Sequence, residues 1–159
     1  MRITEAARRA TLMTEFLSVR VYGVPIPQGR PRARVLRLAT GGVRASVYER
    51  AEDKDWKQTV LAQALEHRPL APVEGPLAMT LSFLLPRPKS LPKRERHPIK
   101  KPDADNLCKA IKDALRGVMY RDDSQIVDLH VTKAYDLAPG VVIRVSRISQ
   151  DAALVQRTP

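Results

Sequence analysis

LAMTLSFLL, Leu77 to Leu85, is the stretch whose reading decides the fold. It is broken only by Thr80 and Ser82, and a run this apolar reads as a strand inside a sheet rather than at its edge. Working outward, Glu49 to His67 has helical spacing, with Trp56, Val60, Ala64, Leu61 and Leu65 as its apolar stripe. Pro69 and Pro72 end it. On the other side, residues 87–102 form a loop rich in Pro, Lys and Arg, and a second helix runs from Asp103 to Leu115 and stops near Gly117. Further out, Phe16 to Tyr22 reads as a strand with Leu17, Val19 and Val21 on one face. Gly23 to Pro31 is a loop, and Arg34–Leu38 and Arg44–Tyr48 flank Gly41-Gly42 as a hairpin. Ile126–Ala134 and Val141–Ile148 flank Pro139-Gly140 as two more strands. The order β-ββ-α-β-α-β-β predicts a single small α/β (α+β) domain, a mixed β-sheet with two main helices packed on it. Its expected span is residues 16–149, with a flexible N-terminal extension over 1–15 and a loose tail over 150–159.

A chain of 159 residues can bury a core of its own, and a hydrophobic fraction of 43% argues against wholesale disorder. No apolar run approaches the roughly 20 residues that span a bilayer, and no apolar segment follows Arg2, Arg8 and Arg9 as in a secretory signal. The single cysteine, Cys108, cannot form an internal disulfide, which fits a reducing compartment. The expected location is therefore cytoplasmic, without a membrane partner. The formal net charge of +11 points to a polyanion, most often nucleic acid.

That charge is uneven. Residues 20–50 hold seven Arg against Glu49 alone, and residues 87–101 hold seven Lys or Arg against Glu95 alone. Both runs are interleaved with Pro and bordered by strands, so they read as loops presented by a scaffold. Arg30, Arg32 and Arg34 in the first, and Lys93, Arg94, Arg96, Lys100 and Lys101 in the second, are the expected DNA contacts. Residues 102–136 reverse the balance with seven aspartates.

The chemistry concentrates in KPDADNLCKAIKDALRGVMYRDDSQ, Lys101 to Gln125. At 100° per residue, Leu107, Ala110, Ile111, Ala114 and Leu115 share a core-facing arc, and Asp105, Lys109, Lys112, Asp113 and Arg116 share the opposite one. Asp103 stands where it can cap the helix, and Asp105 and Lys109 are spaced for their heads to meet. If the chain reverses after Gly117, Asp122 or Asp123 returns to the helix N-terminus and three or more carboxylates converge. Two carboxylates about 5 Å apart at an effective dielectric near 20 repel by roughly 3 kcal/mol, so such a cluster calls for a cation. The hard divalent ions, Mg2+ or alternatively Mn2+, suit oxygen ligands. Lys109, one turn on from Asp105, is placed to touch a phosphate oxygen.

These residues closely resemble the RusA-like Holliday junction resolvases, over KPDADNLxKAxxDAL (Lys101–Leu115) with YRDDSQIVD (Tyr120–Asp128), and less closely over VPIPQGRPR (Val24–Arg32). The resemblance implies a homodimeric α/β endodeoxyribonuclease, dependent on Mg2+, that makes paired nicks across four-way DNA junctions in recombination and repair. It implies that Asp103, Asp105 and Asp123 are metal-binding catalytic acids, with Asp122 as a further metal ligand, and that Lys109 is an essential lysine. Asp113 matches a motif position beside Lys109 that would orient it.

Other chemistries fit poorly. His67, His97 and His130 are scattered, and one cysteine cannot build a zinc site. There is no P-loop or GxGxxG, so no small-molecule cofactor is expected. Aromatics make up 4% of the chain, too few for single-strand binding by stacking. The remaining rivals are a non-catalytic basic DNA-binding protein and a metal-dependent nuclease acting on other branched DNA.

Overall fold

The computed structural model describes residues 13–30 and 32–149. Residues 1–12 and 150–159, and with them most of the expected extension and tail, lie outside the described residues. Six strands and two helices follow one another: β1 (Met13–Tyr22), β2 (Arg32–Arg37), β3 (Val43–Tyr48), α1 (Ala51–Ala64), β4 (Leu77–Leu85), α2 (Ala104–Leu115), β5 (Ile126–Tyr135) and β6 (Gly140–Ile148). One 3-10 turn, Leu65–His67, extends α1, and another, Asp123–Gln125, leads into β5. The main sheet has the order β1-β6-β4-β5. β4 is an inner strand, antiparallel to β6 and parallel to β5, so this is the expected mixed α+β sheet.

Burial alternates along β4: Leu77, Met79, Leu81, Phe83 and Leu85 are buried and the residues between them partly so. The buried row joins Leu17 and Val21 of β1, and Val141, Ile143 and Val145 of β6. Trp56, Val60 and Ala64 of α1 close over it, as do Leu107, Cys108, Ala110, Ile111, Ala114 and Leu115 of α2. Both helices therefore cover one face of the sheet. Ser18, Arg20, Thr132 and Arg144 are exposed at the strand positions between the core residues, so the other face is largely polar.

Several expectations shift in detail. β1 begins at Met13, because the ladder with β6 runs on to Ile148 past an irregularity between Glu15 and Leu17. The stripe of α1 is narrower than its spacing predicts: Leu61 is half-buried and Leu65 is 44% exposed. The reason is that the helix ends at Ala64, and Leu65 enters a 3-10 turn that rotates it off the core face.

The hairpin β2–β3 forms a separate two-stranded sheet. Its register pairs Arg34 with Ser46, Val35 with Ala45 and Leu36 with Arg44. Arg34 and Arg44 thus share one face, and Val35 and Val43 share the other with exposures of 64% and 68%.

At the start of β6, Gly140 pairs with Tyr22, and a Cβ there would collide with the Val21 carbonyl oxygen. Gly140→Ala is expected to cost about 1–3 kcal/mol, as overpacking against a fixed atom does, read as a lower urea midpoint.

Candidate metal and nucleic-acid site

α2 is the crossover between parallel strands β4 and β5. A helix in that position runs back against the strands. Its N-terminus therefore stands at the C-terminal end of β4, and its C-terminal half meets the segment that enters β5. Tyr120 Oη lies 3.0 Å from the Lys112 carbonyl oxygen and 3.3 Å from Asp123 Oδ1, which places Asp123 along the helix flank.

The thiol of Cys108, 4% exposed, lies between the two ends of the motif. Burial raises its pKa, Lys112 lowers it, and Asp123 and Asp105 both raise it. Burial and then Asp123 push the Tyr120 phenol up as well, so it stays protonated and remains a donor to that carboxylate.

The other acids separate by what they bond. Asp122 accepts from the Ser124 backbone N–H at 2.9 Å and the Asp122 N–H donates to Gln125 Oε1 at 2.8 Å, a capping box on the turn before β5. The Ser124 bond holds the Asp122 carboxyl below the usual carboxylate range. Asp113 accepts from Lys57 of α1 at 3.3 Å, and Lys57 also pairs with Glu49 at 2.6 Å. It therefore ties the helices together rather than orienting Lys109. Asp103 occupies the N-cap position of α2 but its side chain makes no cap bond; only its carbonyl oxygen accepts, from Leu107 N–H at 3.1 Å. Asp105 and Lys109 are both exposed and form no ion pair among the described residues.

Among the described residues no three His, Cys, Asp or Glu side chains stand together as a metal cage, which corrects the expected three-carboxylate convergence. Asp103 stands at the N-cap of α2, whereas Asp123 meets Tyr120, whose hydroxyl also reaches the Lys112 carbonyl oxygen in the last turns of the helix. Bare carboxylates also repel one another. The donor set still fits a hard divalent ion. Mg2+ is commonly held by one or two carboxylates and completed by water and substrate phosphate, and Asp105 and Asp123 supply two.

Three contacts that sequence reasoning missed hold this region. Lys133 of β5 donates to the carbonyl oxygens of Pro102, at 2.9 Å, and Lys100, at 3.3 Å, securing the entry to α2. The Lys101–Pro102 peptide bond there is cis. Gln28 N–H donates to the Asn106 carbonyl oxygen at 3.0 Å, docking the loop after β1 onto the first turn of α2. Lys112, half-buried, presents its charge beside Cys108. The helical spacing of Lys112 from Asp105 was the available signal for the last; nothing local in sequence signals the other two.

The basic loop is shaped by Arg87, which donates to Glu95 O at 2.6 Å and Pro92 O at 2.8 Å and lies 5.4 Å from the Tyr135 ring centroid. It leaves Lys93, Arg94, Arg96, Lys100 and Lys101 exposed. Between this loop, Val24, Pro25 and Tyr135 lies a pocket of about 460 Å3. Arg30 and Arg34 are also exposed, while the side chain of Arg32 lies outside the described residues.

The structure is thus a mixed sheet whose crossover helix presents Asp105 and Lys109 to solvent, with exposed basic residues in the loop before it. The family model for endodeoxyribonuclease RusA matches residues 23–146. The chain belongs to the RusA endodeoxyribonuclease family. It is also 39% identical over 139 residues to the uncharacterized protein YqaN of Bacillus subtilis (strain 168), covering 81% of this chain and 94% of that one. Among the described residues no helix is long and apolar enough to cross a membrane.

Burial and two nearby negative charges make Cys108 a poor thiolate. Its reaction with a disulfide reagent near neutral pH is expected to be at least about tenfold slower in the native protein than in the denatured chain. Absorbance of the released thiolate measures both.

Proposed function

We propose that this chain resolves four-way DNA junctions by paired phosphodiester hydrolysis, acting as a homodimer dependent on a divalent cation, Mg2+ or Mn2+. The observation that carries the reading is the family match over residues 23–146, with Asp105 exposed on the first turn of α2 and Asp123 beside the flank of that helix through Tyr120. These two carboxylates would hold the cation, with Asp103 at the helix entry as the further acid. Asp122 serves the turn that presents Asp123. When bound, such a cation neutralises charge on a phosphodiester and activates the attacking water. Lys109 and Lys112, on the same side of α2 as Asp105, are positioned to bind the phosphate oxygens. Tyr120 Oη, whose one hydrogen is shared between the Lys112 carbonyl oxygen and Asp123 Oδ1, holds Asp123 beside α2. A two-fold dimer would present two equal sites to a junction that is itself roughly two-fold. A DNA substrate of this kind places the protein in the cytoplasm, at the nucleoid.

A gel comparing four-way junction, Y-form and linear duplex, with Mg2+ and with EDTA, tests the reading. Symmetric nicks confined to the junction and lost in EDTA are expected. Asp105→Asn is expected to abolish the nicks while junction binding persists. Cleavage of every branched form alike would make the protein a general branched-DNA nuclease, and binding without any nick would make it a binder.

The hairpin and the basic loop are the proposed DNA grip. Arg34 and Arg44 lie on one face of a two-stranded ribbon with no acid between residues 32 and 48. Lys93, Arg94 and Arg96 project from the loop. Replacing Arg34 and Arg44 by Ala, or the loop trio by Ala, should reduce the slope of log K against log salt by about 0.9 for each phosphate that the variant no longer neutralises. An unaltered slope would place that segment off the DNA.

A further inference from the structure

The loop Gly23–Arg30 has no strand partner to fix its path, yet its backbone reaches the turn of α2 that carries Asp105. What fixes it is a charge out of solvent. Asp53 on α1 is 3% exposed and is the only buried charged side chain among the described residues. Arg50 donates to it through Nη2 at 2.6 Å and Nε at 3.1 Å, and Gly29 N–H donates at 3.0 Å. The same Arg50 Nη2 lies 3.2 Å from the Pro27 carbonyl oxygen. Pro27 and Gly29 are thereby held on either side of Gln28. Between them, Gln28 N–H donates to Asn106 O, one residue beyond Asp105. Gln28 Oε1 is buried without a partner, so the loop carries a further polar cost in this path.

Burial alone would raise the Asp53 carboxyl, but the bonds from Arg50 and Gly29 outweigh it and hold the group below the usual carboxylate range. A buried ion pair contributes little to net stability compared with an apolar pair of similar volume; its best-attested use is to specify a geometry. Gly29 shows how close the fit is. A Cβ there would stand 2.6 Å from Arg50 Nε and 2.9 Å from Asp53 Oδ2.

We propose that Asp53, clamped by Arg50, is a positioning residue for the candidate metal turn: through Gly29 and Gln28 it sets where the first turn of α2, and so Asp105, stands. The inference rests on the nuclease reading above for its catalytic consequence but not for its structural one. A misplacement of about 1 Å at a reacting centre can cost on the order of 100-fold in rate, so a loop held at two points matters to turnover.

Two variants test it in the full-length protein. Asp53→Asn keeps the shape and removes the charge, and Gly29→Ala keeps both charges and forces them apart. Amide hydrogen exchange, without metal or DNA, should speed up at least tenfold at Gln28, Gly29, Leu107 and Cys108, with 110–115 and β4 unchanged. With four-way junction and Mg2+, kcat should fall at least tenfold and the Mg2+ needed for half-maximal cleavage should rise severalfold, while KM for the junction stays within twofold. Folded variants with wild-type exchange at Leu107 and Cys108 would overturn the proposal. So would a uniform loss of protection across α2 and β4, which would mark Asp53 as merely stabilising. If the wild-type protein cuts no junction, the nuclease reading fails, and the exchange pattern still decides whether Asp53 sets the turn.

Discussion

The packing of α2 against β4 is the constraint on which the rest depends. β4 and β5 are parallel, so the chain must cross back between them, and α2 makes that crossing with its apolar arc on the buried row of β4. Once Leu107, Ala110, Ile111, Ala114 and Leu115 are committed to the core, Asp105, Lys109 and Lys112 must stand on the helix's outer side. The direction of α2 then decides which acids meet. Asp123 arrives beside the flank of α2, where Tyr120 also reaches the Lys112 carbonyl oxygen, and Asp103 stands at the N-cap.

The electrostatics follow from how each charge is already occupied. Asp53, Asp113 and Asp122 have protein partners: Arg50 with Gly29, Lys57, and the Ser124 backbone N–H. Each serves the scaffold. Asp105 stands in solvent on the first turn of α2, Asp123 meets the Tyr120 hydroxyl, and Lys109 makes no ion pair among the described residues. Arg34, Arg44 and the cations of the 87–101 loop stand in solvent. The protein thus separates structural aspartates from available ones, within a surface whose net charge of +11 draws a polyanion toward them.

The α1–α2 interface has a second role beyond burying Trp56, Val60 and Ala64. Lys57 reaches Asp113 in the last turn of α2, while Asp53 reaches its first turn indirectly, through Gly29 and Gln28. Helix α1 therefore governs α2 at two levels, one by direct contact and one through a loop from beyond β1. Lys133 adds a third hold at Pro102, from the opposite side of the crossover.

Much of this was legible in the sequence. The period of two in Leu77–Leu85 and the helical period of Leu107–Leu115 follow from backbone geometry alone, and the strands, helices and core face they predict are the ones observed. The charge segregation was equally visible, because it is a property of composition. Three features were not: the meeting of Asp123 with the flank of α2, the capture of Asp113 by Lys57, and the route from Asp53 to Asn106. Each joins residues far apart in the chain. Local periodicity fixes which way a side chain faces on its own element, but not which element faces it. That second fact depends on the crossover direction and on how the two helices share one side of the sheet, and only the tertiary structure decides it.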